Sequence, residues 1–565
     1  MPRVAIVGLG GLFPGASSPA ELFANVLARR DESREPPPGR WAIPGDEPPD
    51  DVLSRRGCFL DLRWEDGLDP LFHLAASACR QAWDSARMEG VDRSRVGVIL
   101  GALALPTEGA SAWARHVMRG GAPVDPRNRH ATGYPAAFAA QALGLGGTAF
   151  TLDAACASSL YAVKLAVDEL QAGRADAVLA GGVSRPDPLY TQMGFSRLRA
   201  LSPSGRCSPF DSRADGLVVG EGGGAFVLKR LEDAERAGDK VWGVIAGIGL
   251  SNDLEGGLLA PASEGQLRAM RAAYSQAGWP PDEVPLIECH ATGTPVGDAV
   301  ELRSLRELRG GRAVIGSVKS TVGHMLTAAG AAALAKVLHA LDAGLFPPTA
   351  NHERPIAQLA GSPFRVLREA EAWQGPRRAA VSGFGFGGIN AHLLVEAHPA
   401  ERPRVKGPGL RSRIVVVGVG NRFGDAVLST GQFRIPPKEA EAMLAQQTLP
   451  LLAAEDAVTR SAFPGGERCG AFLEASLDPA TTDYHLRWAA GADVPPLTAD
   501  RTMGALASIA ASRLARAFRV GGPCFTVSGH AVGLASEALR RGEVDWAMAG
   551  ATRRADDPRD GGAGG

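Results

Sequence analysis

Short runs of β-branched and aliphatic residues, mostly closed by glycine, recur along the chain and alternate with longer stretches in which apolar residues return every three or four positions. The runs are VAIVGLGG (4–11), VGVILGA (96–102), AFTLDAA (149–155), AVLAGGV (177–183), GAFVLKR (224–230), WGVIAGIGL (242–250), LIECHATG (286–293), AVIGSVKS (313–320), AAVSGFGFGG (379–388) and AHLLVEA (391–397). Apolar strands of this kind, separated by alanine- and leucine-rich helical patterns, predict an α/β fold with largely buried sheets. Two proline-rich stretches, EPPPGRWAIPGDEPPDD (35–51) and FPPTANHERP (346–355), read as surface loops because element-forming sequence resumes at once on both sides.

The pattern breaks at AHPAERPRVKGPGLRSR (397–413), which is rich in proline and basic residues and has no hydrophobic period. A new unit is expected after it. IVVVGVGNRFGDA (414–426) echoes VAIVGLGGLFPGA (4–16) as an apolar strand and a glycine turn, with Phe423 matching Phe13. The echo continues in GALASIAASRLARAFRVGGPCFTV (504–527) against GYPAAFAAQALGLGGTAFTL (133–152), then in RRGEVDWAMAGATRRAD against QAGRADAVLAGGVSRPD. Matches in the same order signal a repeat. The expected organisation is a first unit over 1–398, with halves near 1–235 and 236–398, a linker at 399–413, an incomplete second unit over 414–552, and a disordered polar tail at 553–565.

Length agrees with that division, since 565 residues exceed one ordinary core. A formal net charge of -1, with 45% hydrophobic and 21% charged residues, gives no electrostatic bias toward nucleic acid or an anionic membrane. The amino terminus lacks the pattern of a signal peptide and no stretch reaches eighteen unbroken apolar residues, so a cytoplasmic enzyme without a membrane span is expected. The seven cysteines have no C-x-x-C or C-x-x-H spacing, which argues against disulfides and metal binding.

One cysteine stands apart. In FTLDAACASSLYAVKLAVDEL, Cys156 falls on the turn between a strand and a long helical pattern, among Ala154, Ala155 and Ala157. A helix dipole and free N–H groups at such a turn favour the thiolate, and small neighbours leave room for an acyl group. A buried structural cysteine is the alternative from this stretch alone. LIECHATGTPVGDAVE (286–301) delivers His290 into a loop of Thr292, Gly293, Thr294 and Pro295 ahead of Asp298 and Glu301. IGSVKSTVGHMLTAAG places Lys319 and His324 in and just after another strand-to-helix turn. VSGFGFGGINAHLLVE sets Phe384, Gly385, Phe386 and Gly387 in a flexible loop that could gate a pocket and offer N–H groups to an oxyanion.

Together these stretches, in this order, resemble the β-ketoacyl synthases, the condensing enzymes of fatty-acid and polyketide synthesis, over residues 1 to about 398. The matching motifs are DAACASS, HATGTPVGDAVE, GSVKSTVGHMLTAAG and GFGFGGINAHLLVE, and alanine stands after His290 where the family usually has glycine. LSPSGRCSPFDSRADGLVVGEGGGAFVLKRLEDA (201–234) is similar to the type I polyketide synthase branch, and DAACASSLYAVKLA to iterative systems such as polyunsaturated fatty acid synthases. The resemblance implies a thiolase-like fold with duplicated halves in a layered αβαβα arrangement, and a dimer. It implies that Cys156 takes an acyl group from an acyl carrier protein, while His290 and His324 promote decarboxylation of a malonyl-type thioester. Lys319 would orient His324, with Glu301 behind it, and the N–H groups of Cys156 and Phe386 would form an oxyanion hole. No bound cofactor or metal is implied, because phosphopantetheine arrives on the carrier. A thiol hydrolase with Asn390 as third member, a thiolase, a non-catalytic carrier-binding partner and a malonyl decarboxylase are the alternatives.

The second unit resembles the amino-terminal half of a chain-length-factor-like domain, the inactive relative that pairs with an active ketosynthase. From Phe150 to Asp176 is 26 positions and from Phe525 to Asp545 is 20, so the second copy is six residues short, and the expected loss is the nucleophile turn itself. Either a homodimer or a ketosynthase/chain-length-factor-like pairing is expected, the latter with this unit packed on the first as a partner.

Overall fold

The computed structural model describes residues 2–40, 52–62, 64, 66–102, 104–399, 413–424, 426–483, 496–553 and 557–560. Its strands are β1 (Val4–Leu12), β2 (Val96–Ala102), β3 (Ala149–Asp153), β4 (Ala177–Ser184), β5 (Gly222–Arg230), β6 (Gly243–Asn252), β7 (Leu286–Glu288), β8 (Ala313–Gly316), β9 (Leu345–Phe346), β10 (Phe364–Arg365), β11 (Glu371–Ala372), β12 (Arg378–Gly385), β13 (Ile389–Glu396), β14 (Cys469–Glu474), β15 (Cys524–Val527) and β16 (Trp546–Ala551). All but the small β11–β9 ribbon join one sheet in the order β10-β8-β7-β12-β13-β6-β1-β5-β4-β2-β3-β15-β14-β16.

That order contains the same block twice. β3-β2-β4-β5-β1 and β8-β7-β12-β13-β6 each hold three parallel strands followed by two antiparallel ones. The blocks meet where β1 pairs with β6 from Val4↔Ile245 to Ile6↔Gly243. Helices Pro70–Asp84 and Pro135–Leu143 cover the outer face of one block, and Ser263–Ala277 and Pro295–Leu308 that of the other. Between the blocks lie Ser158–Gln171 and Ala329–Ala343. This is the layered αβαβα arrangement expected of a thiolase-like fold. The Ser158–Gln171 helix is buried at every position but its last, which explains why its sequence is not amphipathic. The run Leu326–Ala343 has the length and hydropathy of a membrane span, but 83% of it is inside the protein, as a core helix should be.

The second unit repeats part of the block. β14 pairs in parallel with β15 and β16, so β15-β14-β16 reproduces β3-β2-β4. It joins the first unit where β15 runs antiparallel to β3, at Thr526↔Asp153 and Val527↔Leu152. Beside this seam, Lys164 Nζ lies 2.6 Å from Asp168 Oδ2 and 2.7 Å from Glu543 Oε1, and Arg541 Nη2 lies 3.0 Å from Asp168 Oδ1.

Four expectations need correction. Among the described residues, the strand expected at 414–426 forms no ladder: Val415, Val416 and Phe423 are 73%, 82% and 88% exposed. The segment still lies on its helix as β1 does. A Cβ at Gly8 or Gly10 would fall 2.4 Å from Ala82 O or 2.3 Å from Ala78 O, and one at Gly418 or Gly420 would fall 2.3 Å from Ala457 O or 1.9 Å from Ala453 O. What it lacks, among the described residues, are counterparts of β5 and β6, between which β1 is held. Second, residues 557–560 of the tail form a 3-10 turn in which Arg559 is buried and paired with Asp557 and Asp483, and the Arg559 carbonyl accepts the Trp113 indole N–H at 2.8 Å. Third, residues 346–350 are buried rather than superficial.

The fourth concerns the missing six residues. The turn is present: His530 takes φ 71 five residues after Phe525, as Ala155 takes φ 49 five residues after Phe150. Ala531 therefore stands where Cys156 stands. The shortening lies in the helix, which ends at Arg540 in one unit and Gln171 in the other. The expected linker falls outside the described residues except at its ends.

Candidate active site

β3 ends at Asp153, whose Oδ1 accepts the N–H of Ala155 at 2.8 Å. Ser158 Oγ accepts the Ala154 N–H at 2.8 Å and donates to the Ala155 carbonyl at 2.6 Å. These bonds hold Ala155 in a left-handed conformation that a non-glycine residue adopts only at a cost. The sharp turn projects Cys156 from the start of the Ser158–Gln171 helix. The thiolate expected from the helix dipole is not the resting form, because burial pushes the Cys156 thiol up to about 12. The charge of Lys319 and the N–H groups of Phe386 and Cys156 itself pull the other way without prevailing.

A candidate proton acceptor is close: His324 Nε2 lies 2.9 Å from Cys156 Sγ. The His324 and His290 rings are 5.3 Å apart and nearly perpendicular at 87°. Burial, then the charge of Lys319, holds both imidazoles well below their usual pKa, so both are neutral. Each is fixed through its backbone. Glu301 accepts the N–H groups of His290 and Ala291 at 2.8 Å each, and His324 N–H donates to Val218 O at 2.6 Å. Asp298 accepts Phe210 N–H at 2.8 Å and Gly293 N–H at 3.3 Å, while burial lifts its carboxyl to about 7. The Thr292 and Thr294 hydroxyls, 3.0 Å apart, close the loop.

Lys319 is buried, which lowers its pKa; the carboxylates of Glu288 and Glu301 oppose that effect. Glu288 is a residue that sequence reading passed over. Its Oε1 accepts Val318 N–H at 2.6 Å and its Oε2 accepts Lys336 Nζ at 2.6 Å, with both side chains 1% exposed. One carboxylate thus ties β7, which leads to His290, to the turn before Lys319 and to the helix after His324. The supposed surface loop also belongs here, since Ala350 N–H donates to Ser320 Oγ at 3.1 Å. Charged residues inside otherwise apolar elements, Glu288 after LI and Lys336 within AAALAKVL, were the available signal.

The β12–β13 hairpin supplies the fourth side. Phe384 packs 5.9 Å from the His290 ring and Phe386 6.0 Å from Phe195, while Gly387 takes φ 82. A Cβ at Gly385 would sit 3.0 Å from Cys156 N, so hairpin and nucleophile turn touch backbone to backbone. Asn390 is elsewhere engaged: its amide donates to Asp253 Oδ1 at 2.8 Å and to Gly388 O at 2.9 Å. It orients neither histidine, which removes the third member of a hydrolase triad. The hairpin contains no cysteine to act as a thiolase base.

Cys156 opens onto an apolar slot of about 30 Å³ lined by Leu105, Tyr190, Phe195 and Phe386, and by Thr502 and Leu506 of the second unit. Ligand atoms of Cys156, His290 and His324 lie within 4.8 Å of one another, as a small metal site would require. The Sγ···Nε2 separation of 2.9 Å is a hydrogen-bond distance, shorter than the roughly 3.5 Å between such ligands around tetrahedral zinc.

Comparison with known proteins is consistent along the chain. The family model "Beta-ketoacyl synthase, N-terminal domain" matches residues 1–234 and again 424–563, and "Beta-ketoacyl synthase, C-terminal domain" matches 242–353. A phenolphthiocerol/phthiocerol polyketide synthase of Mycobacterium tuberculosis is 36% identical over 472 residues, covering 76% of this chain and 24% of that protein. The spectinabilin polyketide synthase protein NorA' of Streptomyces orinoci is 37% identical over 71% of this chain and 12% of its own length. This chain therefore spans a quarter or less of those curated relatives. Among solved structures, the PfaC keto synthase–chain length factor superposes with a TM-score of 0.86 at 28% identity, over 96% of this chain and 73% of that one. The module 6 ketosynthase of the bacillaene synthase from Bacillus subtilis 168 gives 0.60 at 32% identity, over 70% and 72%.

Proposed function

Since the chain belongs to the β-ketoacyl synthases, we propose that it joins an acyl group held on Cys156 to a malonyl-type thioester with loss of carbon dioxide. The observation that carries this is the pairing of a protonated thiol with a neutral imidazole at 2.9 Å, with a second neutral imidazole across from it.

In the first step His324 Nε2 takes the Cys156 proton as sulfur attacks the acyl thioester carbonyl. The N–H groups of Cys156 and Phe386 receive the developing oxyanion. Collapse expels the pantetheine thiolate, which takes the proton and leaves acyl-Cys156. In the second step a malonyl thioester enters, and its C–CO₂ bond breaks. His290 donates a hydrogen bond to the enolate oxygen from its protonated ring nitrogen, and His324 does so from Nε2 once its single ring proton has moved there from Nδ1 after the first step. Lys319 holds the local potential positive. The enolate carbon attacks acyl-Cys156, a carbon–carbon bond forms, the Cys156 carbon–sulfur bond breaks, and the departing sulfur takes a proton from water. No cofactor of the chain's own takes part, since decarboxylation supplies the carbanion.

Phosphopantetheine on an acyl carrier protein is the proposed donor for both steps. The second unit fits the role of a built-in partner: it completes the slot beside Cys156 and offers alanine where a nucleophile would stand. A slot of about 30 Å³ admits little more than a water, so an acyl chain displaces Phe386 on the way in. Seven free cysteines suit a reducing compartment, in agreement with a cytoplasmic site of action.

The test is intact-protein mass after exposure to a panel of acyl-carrier-protein thioesters. One acyl adduct on the wild type and none on Cys156→Ala is expected. No adduct with any chain length would refute the acyl-enzyme.

A further inference from the structure

The second unit does more than line the slot, because one of its helices, Ala507–Phe518, touches both sources of oxyanion N–H groups. At its first turn, Ser508 lines the slot beside Ala155 and Cys156, near enough to the Asp153 carboxylate to favour its charged form without hydrogen-bonding it, against the burial that lifts its pKa to about 6. Asp153 is the same group that accepts Ala155 N–H at 2.8 Å, and its Oδ2 accepts Ala104 N–H at 3.2 Å. One buried carboxylate therefore joins the nucleophile turn of the first unit to a helix start in the second. One turn further on, the helix meets the gate hairpin: a Cβ at Gly387 would fall 2.0 Å from Ser512 Oγ. Gly387 follows Phe386 directly. Across the seam, Thr526 Oγ1 also donates to Asp153 O at 3.2 Å.

We propose that the Ala507–Phe518 helix sets the geometry of the oxyanion hole, with Asp153 and Ser512 as positioning residues for the N–H groups of Cys156 and Phe386 respectively. The helix reaches neither substrate nor sulfur in this role. It fixes two backbone segments, from different parts of the first unit, relative to each other. A carboxylate whose two oxygens each accept a backbone N–H cannot be replaced by an amide without turning one contact into a clash of donors. A hydroxyl in van der Waals contact with Gly387 cannot grow without moving that glycine.

The inference rests on the acyl-transfer reading of Cys156, and two reactions of the same sulfur separate them. Acylation by hexanoyl-N-acetylcysteamine needs an oxyanion hole; alkylation by iodoacetamide needs only the thiolate. Asp153→Asn and Ser512→Leu are expected to lower the acylation rate at least about tenfold relative to the alkylation rate of the same variant, which absorbs any change in thiolate population, a fraction of the loss on deleting an oxyanion donor outright. Arg516→Ala, on the exposed side of the same helix, should change neither rate. If Ser512→Leu does not fold, the near-isosteric Asp153→Asn decides the matter. Parallel loss of both rates, or acylation at the wild-type rate, overturns the proposal. A wild-type protein alkylated at Cys156 but acylated by no thioester instead overturns the acyl-transfer reading.

Discussion

Replacing His324 by alanine tests how the nucleophile is made. With the Cys156 thiol pushed up to about 12 by burial, the thiolate is disfavoured by ~4 kcal/mol relative to an ordinary thiol. At pH 7.5 roughly one site in 10⁴ to 10⁵ is ionised. The neighbouring imidazole is held well below its usual pKa, so no resting imidazolium stabilises the anion. The proton must then leave during attack, and His324 Nε2, at 2.9 Å, is the group placed to take it. A general base is worth about 10²–10⁴ in rate, so His324→Ala should slow acylation by an acyl thioester ~10²-fold or more at pH 7.5. Because the thiol pKa is raised, the reactive anion is gained as pH rises. Iodoacetamide alkylation of the wild type should therefore climb about tenfold per pH unit from pH 6 to 9 with no plateau. Stopped-flow alkylation and quenched-flow mass spectrometry give the two rates. An alkylation plateau below pH 7.5 that disappears in His324→Ala would show a resting thiolate–imidazolium pair and refute the reasoning.

Three further outcomes are expected. Lys336→Met strands the buried Glu288 carboxylate and should cost ~3–5 kcal/mol in denaturant unfolding, whereas Lys336→Met with Glu288→Leu should recover much of it; an additive double mutant would show that the pair is not coupled. Leu506→Gly removes a wall of the slot from the second unit, so the chain length giving fastest acylation should increase, and an unchanged profile in the thioester panel would place the limit elsewhere. Val416→Lys with Phe423→Lys should reduce concentration-dependent scattering, because the two wild-type side chains present bare apolar surface beside an unpaired segment.

The candidate site residues were legible in the sequence because motifs at turns are local. Cys156, His290, Lys319 and His324 each sit at the end of an apolar run, and the fold brings three of the four into one cluster with the fourth behind it. The layered blocks were likewise readable from alternating strands and helices. What local pattern could not supply was environment. Whether Cys156 rests as thiol or thiolate depends on how much protein covers it, not on the helix start it occupies. Glu288 and Lys336 are 48 residues apart and their pairing is a tertiary fact. The strand at 414–426 was misjudged for a related reason, since an apolar run becomes a strand only when neighbours take up its backbone groups. The six-residue gap was placed in the turn because flanks alone do not say which of two adjoining elements is shorter; only the left-handed conformations of Ala155 and His530 align them.

The antiparallel seam between β3 and β15 joins two parts of one polypeptide. A pair built from separate chains obeys mass action, and at low enough concentration each half loses the other. Tethering makes the same encounter unimolecular, with a local concentration set by the connecting residues rather than by the solution. The stoichiometry of the two units is then fixed at synthesis, and specific activity should be independent of dilution, a property that no equilibrium between free partners provides.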